Sequence, residues 1–169
     1  MIGRRMVVAA GATLATALAG RKPRAAEPGT ALPDMRWTLA DGTVQTIADY
    51  AGKGVVLNLW ATWCVPCVAE MPALDSLAAS VAAAGVLVLP ISSDRGGAVA
   101  VRRFYEQRAI KNLPVLLDPM GAAARALGAR GIPTTILIDS RGRERGRLEG
   151  GAEWNSPASI RMVKALMDA

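Results

Sequence analysis

Hydrophobic positions along the chain fall into two kinds of run. Val55-Val56-Leu57-Asn58-Leu59-Trp60 and Val86 to Ile91 are near-continuous apolar stretches, as expected of strands buried on both faces. Between them, the residues from about Val65 to Ala84 predict a helix that Pro72 should kink. Residues 97–110 have helical spacing through Val99, Phe104 and Ala109, with arginines on the other face. Val115-Leu116-Leu117 predicts a short strand, Ala122 to Leu127 a short helix ended by Gly128, and Thr134 to Ile138 a β-branched strand. Ser140-Arg141-Gly142 turns that strand toward a partner near 145–149. Ser156 caps a final amphipathic helix to Met167, with Pro157 at its first position. Upstream, residues 36–39 and 43–46 flank Asp41-Gly42, a hairpin turn signal, and Ile47 to Ala51 is a short turn or helix. The alternation of strands and helices predicts an α/β sandwich around a central sheet.

The first residues follow a different pattern. Met1 to Arg5 is short and basic, and Met6 to Gly20 is an apolar run of small residues. Fifteen residues fall short of the ~20 that span a bilayer as a helix, and they match the apolar region of a secretory signal. Ala17-Leu18-Ala19 and Ala25-Ala26 are candidate cleavage sites. Arg4-Arg5 fits a twin-arginine route loosely, and the general secretory route and an uncleaved membrane anchor remain open. Glu27-Pro28-Gly29 reads as a linker. Residues 1–30 are therefore read as a targeting or anchoring segment, and 31–169 as one folded domain.

Composition narrows the function. The chain has 169 residues, 51% hydrophobic and 20% charged, which excludes intrinsic disorder. Its net charge of +6 is concentrated in Arg4, Arg5, Arg21, Lys22 and Arg24. Without those five, 15 basic residues face 14 acidic ones, so the body offers no electrostatic case for nucleic acid. Arg141, Arg143, Arg145 and Arg147, interleaved with Glu144 and Glu149, read as a solvated hairpin. Histidine is absent, which removes His-based catalysis and His-ligated metals. No glycine-rich loop has phosphate-binding spacing.

Two cysteines remain, in Trp63-Cys64-Val65-Pro66-Cys67, between a buried strand and a helix. In that context a CxxC reads as redox-active. Cys64 sits at the positive end of the helix, where unpaired N–H groups and the dipole favour a thiolate. Cys64 is the candidate attacking sulfur and Cys67, one turn in, the resolving one. Pro66 suits the first helical turn. A structural zinc site needs about four ligands, and two cysteines without histidine fall short. Attachment of c-type haem needs His where Val68 stands. A purely structural disulfide closing so short a loop gains little entropy. Cu(I) binding by the two thiolates stays open as a second reading, a copper carrier rather than an enzyme, with Met71 the methionine nearest in sequence.

The stretch Asn58-Leu59-Trp60-Ala61-Thr62-Trp63-Cys64-Val65-Pro66-Cys67, followed by Glu70 and Pro72, resembles the thioredoxin superfamily, and more closely its TlpA-like branch. Gly131-Ile132-Pro133-Thr134-Thr135 resembles the cis-proline loop of that superfamily. Gly151-Ala152-Glu153-Trp154 is similar to the C-terminal segment of the TlpA proteins. The likeness covers roughly residues 30 to 169. It implies a thioredoxin fold: a central mixed sheet flanked by helices, with an N-terminal β-hairpin extension and a central βα insertion whose helix near 102–108 presents a solvated arginine face.

The resemblance also implies a site. Cys64 and Cys67 would form the redox disulfide. Trp63, Pro66, Ile132, Pro133 and Thr134 would bind substrate, with Ile132–Pro133 cis and Trp60 and Trp63 packed around the sulfurs. Thioredoxin itself carries a buried aspartate six residues before the first cysteine, and Asn58 occupies that position here. The TlpA-like branch has an acid three residues after the second cysteine, and Glu70 fills it. Glu70 then transfers a proton for Cys67, or else is a solvated first-turn residue. Pro133 has its own alternative as an ordinary strand-entry proline. The implied function is reduction of protein disulfides in the periplasm without a cofactor. Its implied substrates are apocytochrome c and the copper-site or copper-chaperone proteins of cytochrome oxidase, with a membrane thiol transporter as electron donor. The implied protein is a monomer that binds no nucleic acid. The same fold also serves oxidants and isomerases.

Overall fold

The computed structural model describes residues 29–168. The basic and apolar N-terminal segment lies outside them. The elements in order are β1 (Thr30–Ala31), β2 (Trp37–Leu39), β3 (Val44–Gln45), β4 (Gly54–Trp60), α1 (Val65–Val81), β5 (Val86–Ser92), α2 (Gly97–Arg108), β6 (Leu116–Leu117), α3 (Ala122–Ala126), β7 (Thr134–Ile138), β8 (Arg143–Glu149) and α4 (Pro157–Lys164). Short 3₁₀ turns occupy Ile47–Tyr50, Ala82–Ala84 and Ala165–Met167.

The eight strands form one mixed sheet in the order β1-β8-β7-β4-β5-β6-β2-β3. Strand β4 lies parallel to β5, with α1 as the crossover, and antiparallel to β7. The hairpin β2–β3 extends the sheet beyond β6. At the other edge, Thr30 and Ala31 pair with Glu144 and Arg143. The thioredoxin fold expected from the motifs is the fold present.

Every residue of β4 is buried, because helices or loops cover both faces of the sheet. Successive side chains of a strand point to opposite faces. Val56 and Trp60 enter a core with Cys67, Met71, Leu74 and Leu77 of α1. Val55, Leu57 and Leu59 enter a second core with Ile136, Ile138, Ala123 and Leu127. Asn58 lies between Val56 and Trp60, so the pleat aims it at α1. Where β4 begins, Gly54 meets the C-terminal turn closely: a Cβ there would lie 3.1 Å from both Leu166 Cβ and a Val86 methyl.

Local details fill in the expected picture. Helix α1 runs through Pro72 to Val81 without a break, although Pro72 gives no N–H to the Val68 carbonyl. In α2 the buried stripe is Val101, Phe104 and Tyr105, while Val99 is exposed and Ala109 ends the helix in the left-handed region (φ 54°). Trp60 shares one core with Cys64 and Cys67. It points to the helix face of β4 and stacks on Tyr105 at 6.0 Å, with Phe104 tilted at 5.2 Å. The arginine hairpin is only partly solvated, since Arg147 forms an ion pair with the buried Glu144 at 2.8 Å.

Candidate active site

Strand β4 ends at Trp60 and α1 begins at Val65, so the CxxC lies in the short turn at the carboxyl end of a central strand. In open α/β sheets that end is where ligands gather. Asp94, just past β5, pins the turn. It accepts hydrogen bonds from the Thr62 N–H (2.9 Å), the Thr62 hydroxyl (2.6 Å) and the Ser92 hydroxyl (2.7 Å). The Cys64 N–H donates to the Ala61 carbonyl at 3.1 Å.

Cys64 and Cys67 form a disulfide with Cα atoms 5.2 Å apart. Cys64 is the N-cap of α1, and its Sγ accepts from the Cys67 N–H at 3.3 Å. In the reduced protein that N–H, together with the positive helix end, is available to a Cys64 thiolate. The first turn of α1 carries no acid to oppose it. Cys64 is 6% exposed and Cys67 is fully buried, so Cys64 is the sulfur a partner can reach. Trp63 and Val65, 67% and 80% exposed, flank it with apolar surface. Pro66 is exposed in the first turn.

The Ile132–Pro133 peptide bond is cis. The Ile132 carbonyl oxygen lies 3.7 Å from Cys64 Sγ. With the sulfur in a disulfide this is a contact rather than a hydrogen bond. Ile132 is half-buried and Pro133 buried. Thr134 is fully buried, and its hydroxyl donates to the Gly131 carbonyl at 2.7 Å, so this side chain shapes the loop from within.

Glu70 is 4% exposed and is not a solvated first-turn residue. Residues i and i+3 share a helix face, so it follows Cys67 into the core. One carboxylate oxygen accepts from Asn58 Nδ2 at 2.9 Å, and the other from the Trp154 indole N–H at 3.0 Å and the Ala152 N–H at 3.2 Å. Asn58 Nδ2 also donates to the Thr135 hydroxyl at 2.9 Å. Burial raises the Glu70 pKa above its ordinary value, against the opposing pull of the Asn58, Trp154 and Ala152 donors. The carboxyl thus lies buried one helical turn from Cys67, held by three uncharged donors. Among the described residues no group of three or more His, Cys, Asp or Glu is arranged to hold a metal ion, and Met71 is fully buried.

The structure brings Cys64, Cys67, Glu70, Trp63, Pro66, Ile132 and Pro133 to one end of the sheet. Sequence reasoning missed Asp94, and it saw in Asn58 only a missing charge. The pleat of β4 was the available signal for Asn58. For Asp94 it was position, just past a strand parallel to β4. A thioredoxin fold with a disulfide at the start of α1 and a cis proline facing it defines a thiol–disulfide site.

Comparison with known proteins agrees. The Redoxin family model matches residues 27–160. The thiol-disulfide oxidoreductase ResA of Bacillus thuringiensis is 35% identical over 117 residues, which is 69% of this chain and 66% of that one. The chain thus spans just under two thirds of that relative. Among solved structures, a Chlorobium tepidum chain described as a thiol:disulfide interchange protein, DsbE, superposes with TM-score 0.71 at 27% identity, covering 83% of this chain and 98% of the other. The exposed lipoprotein thioredoxin Etrx1 of Streptococcus pneumoniae gives TM-score 0.63 at 29% identity, covering 80% and 99%. The chain belongs to the redoxin family, within the thioredoxin superfamily, in keeping with its TlpA-like motifs.

Proposed function

We propose that the protein is an exported thiol:disulfide oxidoreductase that reduces protein disulfides, with Cys64 as nucleophile, Cys67 as resolving thiol and Glu70 as its proton-transfer group. The carrying observation is the Cys64–Cys67 disulfide at the N-terminus of α1, with the more exposed sulfur against the Ile132 carbonyl and the buried sulfur ahead of Glu70.

In the reduced protein, the Cys64 thiolate attacks one sulfur of a substrate disulfide. The substrate S–S bond breaks, a Cys64–substrate disulfide forms, and the released substrate sulfur takes a proton. Glu70 accepts the Cys67 proton, and the Cys67 thiolate attacks Cys64 Sγ. The second substrate sulfur leaves as a thiolate and takes up a proton as the Cys64–Cys67 disulfide forms. Two electrons have passed to the substrate, and an external dithiol returns the pair to the reduced state. Trp63, Pro66 and the Ile132–Pro133–Thr134 loop form the docking surface. Thr134 contributes by shaping the loop, and the Ile132 carbonyl accepts from an extended substrate backbone.

The N-terminal segment, residues 1–30, delivers the domain across the inner membrane or holds it there. The TlpA-like likeness supports substrates in respiratory assembly, namely apocytochrome c and the copper-site or copper-chaperone proteins of cytochrome oxidase, with a membrane thiol transporter as electron donor. Replacement of Cys67 by Ser should trap a mixed disulfide through Cys64, while Cys64→Ser traps little. Equal trapping by the two variants, read on non-reducing gels with a disulfide-bearing protein, would defeat the assignment.

A further inference from the structure

The Gly151-Ala152-Glu153-Trp154 motif takes no part in the exchange steps above, yet it holds the carboxylate those steps use. The chain leaves β8 at Glu149 and crosses the first turns of α1. The Gly150 N–H donates to the Pro133 carbonyl at 2.8 Å. The Ala152 N–H and the Trp154 indole N–H then donate to the same oxygen of Glu70, at 3.2 and 3.0 Å. Gly151 lies against the start of α1: a Cβ there would be 3.8 Å from the Pro66 carbonyl oxygen and 3.7 Å from Glu70. One loop therefore grips both the proline turn that faces Cys64 and the carboxylate behind Cys67.

Trp154 belongs to the α1-side core with Met71, Val163 and Leu166. Packing alone does not account for its orientation. Trp60 is as deeply buried, and its indole N–H has no hydrogen-bond partner among the described residues. Trp154 instead directs its donor to an ionisable oxygen. A buried indole N–H ordinarily finds a partner, and a bond to a charged acceptor is among the stronger kinds.

On the reading that Glu70 serves Cys67, we propose that Trp154 is a positioning residue for thiol–disulfide exchange. Its indole N–H fixes the Glu70 carboxylate one turn behind Cys67, and the 150–154 loop ties that carboxylate to the Pro133 turn. The groups facing Glu70 are Asn58 from β4 and Ala152 and Trp154 from the loop, all uncharged. Thr135 of β7 acts through Asn58. Cys67 shares its helix face, and Glu153, exposed in the loop, is the nearest other acid in that segment. Among the described residues no lysine or arginine forms an ion pair with Glu70. Its proton affinity in the reduced protein is then set by burial, by these neutral donors and by the Cys67 thiol. Losing the indole donor removes one interaction that favours the ionised form.

Trp154→Phe keeps a ring in the core and removes the N–H. The acid limb of the pH–rate profile for disulfide reduction should move up by about one pH unit, which is about tenfold in proton affinity. The same substitution made in Glu70→Gln should move nothing further. A second readout does not depend on turnover. In ¹⁵N-labelled reduced protein, the Trp154 indole resonance, assigned by through-bond spectra, should titrate with the midpoint of the acid limb and stop titrating in Glu70→Gln. Should Trp154→Phe fail to fold, this titration decides by itself. An indole resonance that stays flat from about pH 4 to about pH 9, or a folded Trp154→Phe with an unmoved acid limb, overturns the proposal and leaves Trp154 as core packing. Failure of the cysteine-trapping experiment with a titrating indole would instead count against the proposed function alone.

Discussion

Glu70 and Glu144 are buried to the same degree, each 4% exposed, and they are held by opposite means. Glu144 receives a two-pronged guanidinium: Arg147 Nε donates to one oxygen at 2.8 Å and Nη2 to the other at 2.9 Å. The remaining Arg147 nitrogen donates to the Leu127 carbonyl at 2.7 Å, and the Glu144 carboxylate pushes the Arg147 pKa up. Among the described residues Glu70 has three uncharged donors and no cation. Its charge is opposed by burial and supported by uncharged donors, so its pKa is raised rather than held down by a counter-charge. Burial does not by itself make a carboxyl reactive. A carboxylate locked to a guanidinium sits in a charged pair within β8, whereas one held by an amide, an indole and a backbone N–H has no counter-charge to fix its ionised form.

The largest effect expected from this contrast is on stability at the Glu144 end. Arg147→Met leaves a buried carboxylate without its cation and should cost about 3 kcal/mol, measured by denaturant unfolding, while the pH dependence of disulfide reduction stays as it was. A loss below about 1 kcal/mol, the range of a surface pair, would make the two glutamates alike.

Glu70→Gln should do the reverse, changing the pH dependence with less effect on the fold. The sign follows from its raised pKa. Below the ordinary value of 4.5, both folded and unfolded states carry the proton and burial imposes no penalty. As pH rises from there to the raised folded value, the unfolded chain ionises first, and stability falls. The variant should lack that fall, and its reduction rate should lose the acid limb. Unfolding curves at several pH values check the first part. A wild-type protein that gains stability across the same window would mean that the hydrogen bonds outweigh burial at Glu70.

Much of this arrangement was legible in the residues. The alternation of continuous apolar runs with helical spacing carried the element order, and the CxxC between a strand and a helix carried the chemistry. The partner of Glu70 was written in the period of two along β4, which places Asn58 on the α1 face. The Glu144–Arg147 pair was hidden by the same rule, since residues three apart on a regular strand face opposite ways. A register shift next to Leu137 and Ile138 sets Glu144 opposite Ile138 and Arg147 opposite Ile136, so both return to one face. A bulge of that kind leaves no mark in hydropathy. Trp154 lies 84 positions from Glu70, a contact made by topology alone.

The Cys64–Cys67 pair is proposed to act as a reductant, and its reduction potential decides whether it does. The helix start favours the Cys64 thiolate, but no Lys, Arg or His stands within five residues of either cysteine, and Glu70 in its ionised form disfavours thiolates beside it. The reduced form therefore lacks the added stabilisation that makes a pair strongly oxidising. Equilibration with a glutathione or dithiothreitol redox buffer should place the Cys64–Cys67 couple nearer thioredoxin's ~−270 mV than the ~−120 mV of strong oxidants. A value more oxidising than about −180 mV, the level of disulfide isomerases, would contradict the reductase account and make the protein an oxidant or isomerase.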